Sequence, residues 1–149
     1  MFLFRSPSLR QLNLALAVLR VTVGIVFIAH GYQKLFTFGF AGISGAFGQM
    51  GVPLPGLMGP FVALLEFFGG IALVIGLLTR LAALGLAFDM LGAIALVHFK
   101  GGFFLPKGYE FVFLLLGASI TVALAGAGQF SVDAAISSRG SPSTSADRA

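Results

Sequence analysis

Residues 57–78 read LMGPFVALLEFFGGIALVIGLL. A single charge, Glu66, interrupts an apolar run long enough to cross a bilayer as a helix, which takes about 20 residues. Working outward, three more such runs cover about 12–36, 80–99 and 109–126. The first resembles a signal peptide at its start, but Arg20 breaks its apolar core and no small-x-small cleavage site follows, so it reads as a retained helix. The last is the cleanest, with no charge between Glu110 and Asp133.

The breaks between the runs differ in kind. Residues 37–56 are uncharged and rich in glycine, with Gly42, Gly45, Gly48 and Gly51 at intervals of three and Pro53 and Pro55 closing the stretch. This reads as a loop, with room for a short interfacial helix. Thr79 and Arg80 make a tight turn, and residues 100–108, with Gly101, Gly102, Pro106 and two lysines, make the next loop. Beyond Gly126 and Gly128 the chain turns to Ser, Pro, Thr and charge, the signature of a disordered tail.

The whole composition agrees with this division. Of 149 residues, 58% are hydrophobic and 9% charged, against about 45–50% and about 25% in soluble domains. A chain this short has too little interior to hide that much apolar surface from water. The net charge of +4 comes from scattered basic residues, which excludes the clustered footprint of a nucleic-acid binder. With no cysteine in the chain, thiol exchange, disulfides and cysteine-ligated iron–sulfur clusters are excluded. The residues therefore predict an all-α integral membrane protein, a four-helix bundle in up-down-up-down order. A head at 1–11, a membrane domain at 12–130 and a disordered cytoplasmic tail at 131–149 complete the division. Arg5, Arg10, Arg80, Arg139 and Arg148 fall on one side of the bundle, and Lys34, Lys100 and Lys107 on the other. The positive-inside rule then puts both termini in the cytoplasm.

Ionisable groups at membrane depth are costly, at roughly 2.5–3.5 kcal/mol each at a helix centre. Arg20, Glu66 and Asp89 each lie well inside an apolar run. Counted at about 1.5 Å per residue, the three fall in one central slab. Each shares a helical face with small residues: Ala17 and Gly24, Gly69 and Gly70, and Gly85, Gly92 and Ala93. Such residues mark where helix backbones approach closely, so the charges are expected to point inward and meet. One arginine neutralises only one carboxylate, leaving the other to be protonated, hydrated or engaged by a ligand. The plainer reading is a buried ion pair that fixes helix register.

A second polar layer lies toward the outer face. His30 and Lys34 are four apart near the end of the first run, His98 and Lys100 end the third, and Glu110 starts the fourth. His98, Lys100 and Lys107 suit ordinary helix ends and loops, and Glu110 a first turn. Together the two layers suggest a polar cleft opening outward.

These residues also resemble a family. The set Arg20-Val-Thr-Val-Gly24, His30-Gly31, Lys34, Glu66 with Gly69-Gly70, and Gly76-Leu-Leu-Thr-Arg80 is similar to the DoxX family of small bacterial membrane proteins. Asp89-Met90, His98 followed by Gly101-Gly-Phe-Phe104, Gly108-Tyr-Glu110 and Gly126-Ala-Gly128-x-x-Ser131-x-Asp133 extend the resemblance over about residues 14–135. It implies a four-helix bundle in the bacterial inner membrane that works in membrane redox chemistry, including as a subunit of quinone-linked oxidoreductases. The matching site positions are Arg20, His30, Lys34, Glu66, Asp89, His98 and Glu110.

Two classes of function stay open on this reading. In a quinone-linked oxidoreductase subunit, Glu66, Asp89 and His30 would handle protons. Arg20, Lys34, His98 and Glu110 would bind the ring, the cations steadying negative charge. The expected cofactor is a quinone or quinol; a haem clamped by His30 and His98 is the weaker candidate, and no metal ligand set stands out. The alternative is a non-catalytic membrane scaffold, with a small-solute or proton pathway behind both. The lipid bilayer, redox partner proteins and a second copy of the chain are the expected partners.

Overall fold

A computed structural model describes residues 6–139, and all regular secondary structure among them is helical. α1 spans Leu9–Tyr32 and starts at Ser8. The Ser8 hydroxyl accepts from the Gln11 N–H while the Gln11 side chain accepts from the Ser8 N–H, a capping box that satisfies two otherwise unpaired donors. The helix then widens into a π-helical segment, Gln33–Phe38, and breaks at Gly39. α2 follows at Gly39–Gln49 and α3 at Pro55–Ile75. α4 spans Thr79–Ala93 and runs on through a second π-helical segment, Ile94–His98, and a 3-10 turn, Phe99–Gly101. α5 is Glu110–Ala125 and α6 is Val132–Arg139.

Three of these helical stretches, residues 9–49, 55–75 and 79–101, are long and apolar enough to cross a membrane, and α5 is a shorter apolar helix. Large apolar side chains such as Ile25, Phe68, Leu91 and Leu114 face outward, as helices bathed in lipid require. The protein is an all-helical membrane protein.

Glycine sets how closely the helices pack. α1 and α3 run antiparallel, with Gly24 opposite Gly70 and Gly31 opposite Phe67. A Cβ built on Gly24 would lie 2.8 Å from the Gly70 carbonyl oxygen, and one on Gly70 2.7 Å from that of Gly24. Backbone meets backbone here, and only glycine leaves the room. On its other side α3 packs against α4, Gly69 against Leu86 and Leu65 against Gly85. The core joins Val23 and Phe27 of α1, Leu73 of α3, Leu86 and Met90 of α4, and Leu115 and Val122 of α5.

Two expectations are corrected. Residues 37–56 are not mainly a loop, since α2 occupies most of the stretch, with Ile43 buried and the Ile43–Ser44 backbone against Gly59 of α3. Glycine weakens a helix in water, but in lipid a helix is the one way for a lone segment to satisfy its backbone polar groups. The tail expected to be disordered from 131 instead begins with α6. Its remainder, residues 140–149 with Arg148, lies outside the described residues, as does Arg5 of the head.

Candidate functional site

The charged side chains expected in one slab separate into two polar groups at different depths. The first is built around Arg20, which is 2% exposed. Its Nη1 donates to the carbonyls of Leu73 (2.6 Å) and Val74 (3.0 Å), and its Nη2 to that of Phe130 (2.6 Å). Leu73 and Val74 belong to the last turn of α3, whose carbonyls lack helical partners. A cation there also complements the helix dipole. Gly76 follows with φ +73°, and any side chain at it would collide with the Arg20 guanidinium and Ser131.

Asp133 completes this group from α6. It accepts from the N–H groups of Leu78 (2.8 Å) and Thr79 (2.9 Å), capping α4, and its own N–H donates to the Gly76 carbonyl at 2.9 Å. Burial acts to raise the Asp133 pKa, but the hydrogen bonds from Thr79 and Leu78 and the nearby Arg20 charge outweigh it and hold it below the usual carboxylate range. The Gln129 N–H donates to the Asn13 side chain at 2.8 Å, tying the same segment to α1. The Gly76–Arg80 and Gly126–Asp133 motifs are thus two halves of one clasp. Arg20 makes its bonds to carbonyls there, and the pairing expected with Glu66 or Asp89 is not formed. From Glu66 to Leu73 is about 10 Å along α3, at about 1.5 Å per residue.

The second group lies at the opposite end of the α1–α3 contact. Lys34, in the first π-helical segment, makes a salt bridge with Glu66 of α3. Glu66 is 4% exposed, and Asp89 of α4 stands close enough to feel the charges of both Glu66 and Lys34. Asp89 Oδ2 is buried and receives no hydrogen bond. Lys34 is bonded to Glu66, and Asp89 stands beside the pair without a salt bridge of its own among the described residues.

This group sits in the wall of a cavity of about 1050 Å³. Lys34, Glu66, Asp89, His30 and His98 all line it, and Phe27, Phe38, Phe47, Phe61, Phe88 and Phe111 supply much of the remainder. His30 packs its ring 6.0 Å from that of Phe111. Both π-helical segments border the cavity, the first contributing Lys34 with Gln33 and Thr37 and the second His98; such bulges often re-aim side chains at functional sites. Gly92 meets no neighbour within 4 Å where a Cβ would stand, so here a small residue leaves open space and not a helix contact.

Five of the seven expected site residues thus meet in one cavity, while Arg20 and Glu110 lie elsewhere. Glu110 accepts from the Leu105 N–H at 2.8 Å and closes the loop before α5. Gln33 and Thr37 line the cavity as well, and sequence reasoning missed them because they fell at the edge of a span and in the supposed loop. Among the described residues no group of three or more His, Asp and Glu side chains is gathered to hold a metal ion.

Comparison with known proteins agrees with this architecture. The DoxX family profile matches residues 15–99, which includes Arg20, His30, Lys34, Glu66, Asp89 and His98. The chain belongs to the DoxX family. This DoxX chain is 35% identical over 127 residues to the Bacillus subtilis protein named "Putative oxidoreductase CatD", covering 83% of the chain and 88% of that protein. It is 34% identical over 125 residues to the inner membrane protein YqjF of Escherichia coli, covering 81% and 91%. A membrane protein of Mycobacterium tuberculosis is 32% identical over 133 residues, covering 81% and 80%. No solved structure gave a significant match.

Proposed function

We propose that this DoxX protein is a subunit of a quinone-linked oxidoreductase of the bacterial inner membrane, with its ligand site in the cavity beside Lys34, Glu66 and Asp89. One observation carries the reading: an apolar, phenylalanine-lined cavity of about 1050 Å³ ends on two carboxylates, only one of them paired with a cation. Ligand sites are usually apolar pockets of about 300–1,000 Å³ with a few convergent polar groups, and a ring with an isoprenoid tail suits this one in size and polarity. A bound quinone supplies two-electron, two-proton chemistry. The chain's own part is to seat the ring, exclude bulk water with its phenylalanines, and hold or accept protons at the Glu66 and Asp89 carboxylates. His30 and His98 offer further proton-exchanging groups in the same cavity. With no cysteine in the chain, any thiol step belongs to a partner protein.

The relatives' names, one an oxidoreductase and one an inner membrane protein, support this assignment. The topology that goes with it has α1, α3, α4 and α5 as four antiparallel spans and both termini in the cytoplasm. The neighbourhood of Arg80 and Gly126 at one end of α4 and of Phe99 and Tyr109 at the other supports an antiparallel α4–α5 pair. A scaffold role is the second reading, favoured by Lys34 already compensating Glu66 within the chain.

Titration of the purified protein in lipid nanodiscs with a short-tailed ubiquinone, alongside extraction of lipids from protein taken from native membranes, separates the two. Quinone in the extract and saturable binding, weakened about tenfold or more in folded Glu66→Gln, support the redox reading. Wild-type protein that carries no quinone and binds none would leave only the scaffold.

A further inference from the structure

The two acids at the polar end of the cavity present more oxygens than the donors bonded to them. Glu66 and Asp89 together present four carboxylate oxygens; Lys34 donates to one of them, Glu66 Oε2, and Asp89 Oδ2 has no donor at all. A proton held between the two acids would be used up between them and leave the surplus in place.

From this surplus we infer that the site selects a ligand whose ring carries hydroxyl groups, the diol form of a quinone, over the dione. The inference rests on the function proposed above and names which redox form is recognised. A ring hydroxyl both donates and accepts, whereas a ring carbonyl only accepts. Lys34, with N–H groups to spare, serves either form and does not discriminate. Gln33, Thr37, His30 and His98 around the cavity likewise carry groups able to donate to an oxygen of either form. The Asp89 carboxylate is different, because when ionised it takes only a donor, and a dione brought against it then leaves two acceptors facing each other across a low-dielectric gap. Sites that hydrogen-bond a substrate hydroxyl reject analogues lacking it far more strongly than apolar pockets reject an extra methylene. The phenylalanine lining reads neither form and contributes affinity to both.

The test compares three probes on the full chain in nanodiscs under anaerobic conditions: a short-tailed ubiquinol, the matching ubiquinone, and the O,O-dimethyl ether of that ubiquinol. The dimethyl ether keeps the ring and loses both donors. Wild-type protein is expected to bind the diol at least about tenfold more tightly than the other two, equivalent to about 1.4 kcal/mol. In Asp89→Leu, which removes the acceptor, the diol advantage over the dione should shrink to about threefold or less while dione binding persists. Dione or dimethyl ether bound by wild type as tightly as the diol would overturn the inference and leave the quinone site standing. An unchanged diol advantage in folded Asp89→Leu would overturn the assignment to Asp89. Failure of all three probes to bind wild type would remove the quinone site and this inference together.

Discussion

Both ends of the α1–α3 contact bury a charge from α1 or its π-helical extension, and the two ends handle it in opposite ways. At the Arg20 end the guanidinium donates to three backbone carbonyls, leaving only its buried Nε unpaired among its nitrogens, and is 2% exposed beneath the segment before α6. At the Lys34 end the cation is bonded to Glu66, the neighbouring Asp89 has an oxygen without a donor, and the group borders a large cavity. A charge bonded to the chain's own carbonyls and shut away from open space stabilises the fold. A charge group left incomplete beside open space can exchange hydrogen bonds with something that enters. The contrast therefore assigns structure to one end and ligand recognition to the other, and it can be broken by mutation.

The largest effect is expected at the closed end. Arg20→Met removes a donor to three carbonyls and leaves the α3 terminus and the Phe130 carbonyl without it, at a cost of about 3 kcal/mol or more. Unfolding of the reconstituted protein by sodium dodecyl sulfate, followed by circular dichroism, should register this. The portion of Arg20→Met that stays folded should bind quinone as wild type does. A stable Arg20→Met protein that has lost only ligand binding would reverse the assignment of the two ends.

A smaller loss of stability is expected at the open end. Lys34 is 17% exposed at its side chain and Glu66 6%, so the pair lies between a surface ion pair, worth about 0–1 kcal/mol, and a fully buried one, whose disruption costs about 3–5 kcal/mol. Lys34→Met should therefore cost about 2 kcal/mol in the same unfolding experiment. Unlike the arginine substitution, it should also change ligand affinity in the folded fraction. Loss of stability with unaltered binding would make the Lys34–Glu66 pair a second structural clasp and favour the scaffold reading.

The same contrast explains what could be read in the sequence. The four apolar runs match α1, α3, α4 and α5 closely, because hydropathy over a span is a property of local composition. Glu66, Asp89, Lys34, His30 and His98 were legible as candidates because polar groups at membrane depth are costly wherever they point. Arg20 met the same criterion and was paired with the wrong group, because register between helices depends on packing. Gly24 opposite Gly70 and Gly31 opposite Phe67 carry Arg20 to the end of α3, and residue counting from the edge of an apolar run does not see that shift. α2 was hidden by its glycines. α6 was hidden by polar composition, although Ser131 and Asp133 already stood in the motif that binds it to the α3–α4 turn.

The smallest of these effects belongs to the clasp's outer half and carries a pH signature. Asp133 caps α4 from a distant segment of the chain with both carboxylate oxygens; Asn keeps one acceptor and loses the other, so Asp133→Asn should cost about 1 kcal/mol, the net worth of one hydrogen bond. The folded-state pKa of Asp133 is depressed, chiefly by the hydrogen bonds from Thr79 and Leu78 prevailing over burial. Its contribution is therefore fully present above the ordinary unfolded value, about 3.9, and is lost as the pH falls through that value toward the lower folded one. Stability measured between pH 7 and pH 3 should fall more steeply for wild type than for Asp133→Asn, with the two curves converging at the acid end. Parallel curves would mean that Asp133 does not cap α4 as an ionised group, and the difference between the two ends would then rest on Arg20 alone.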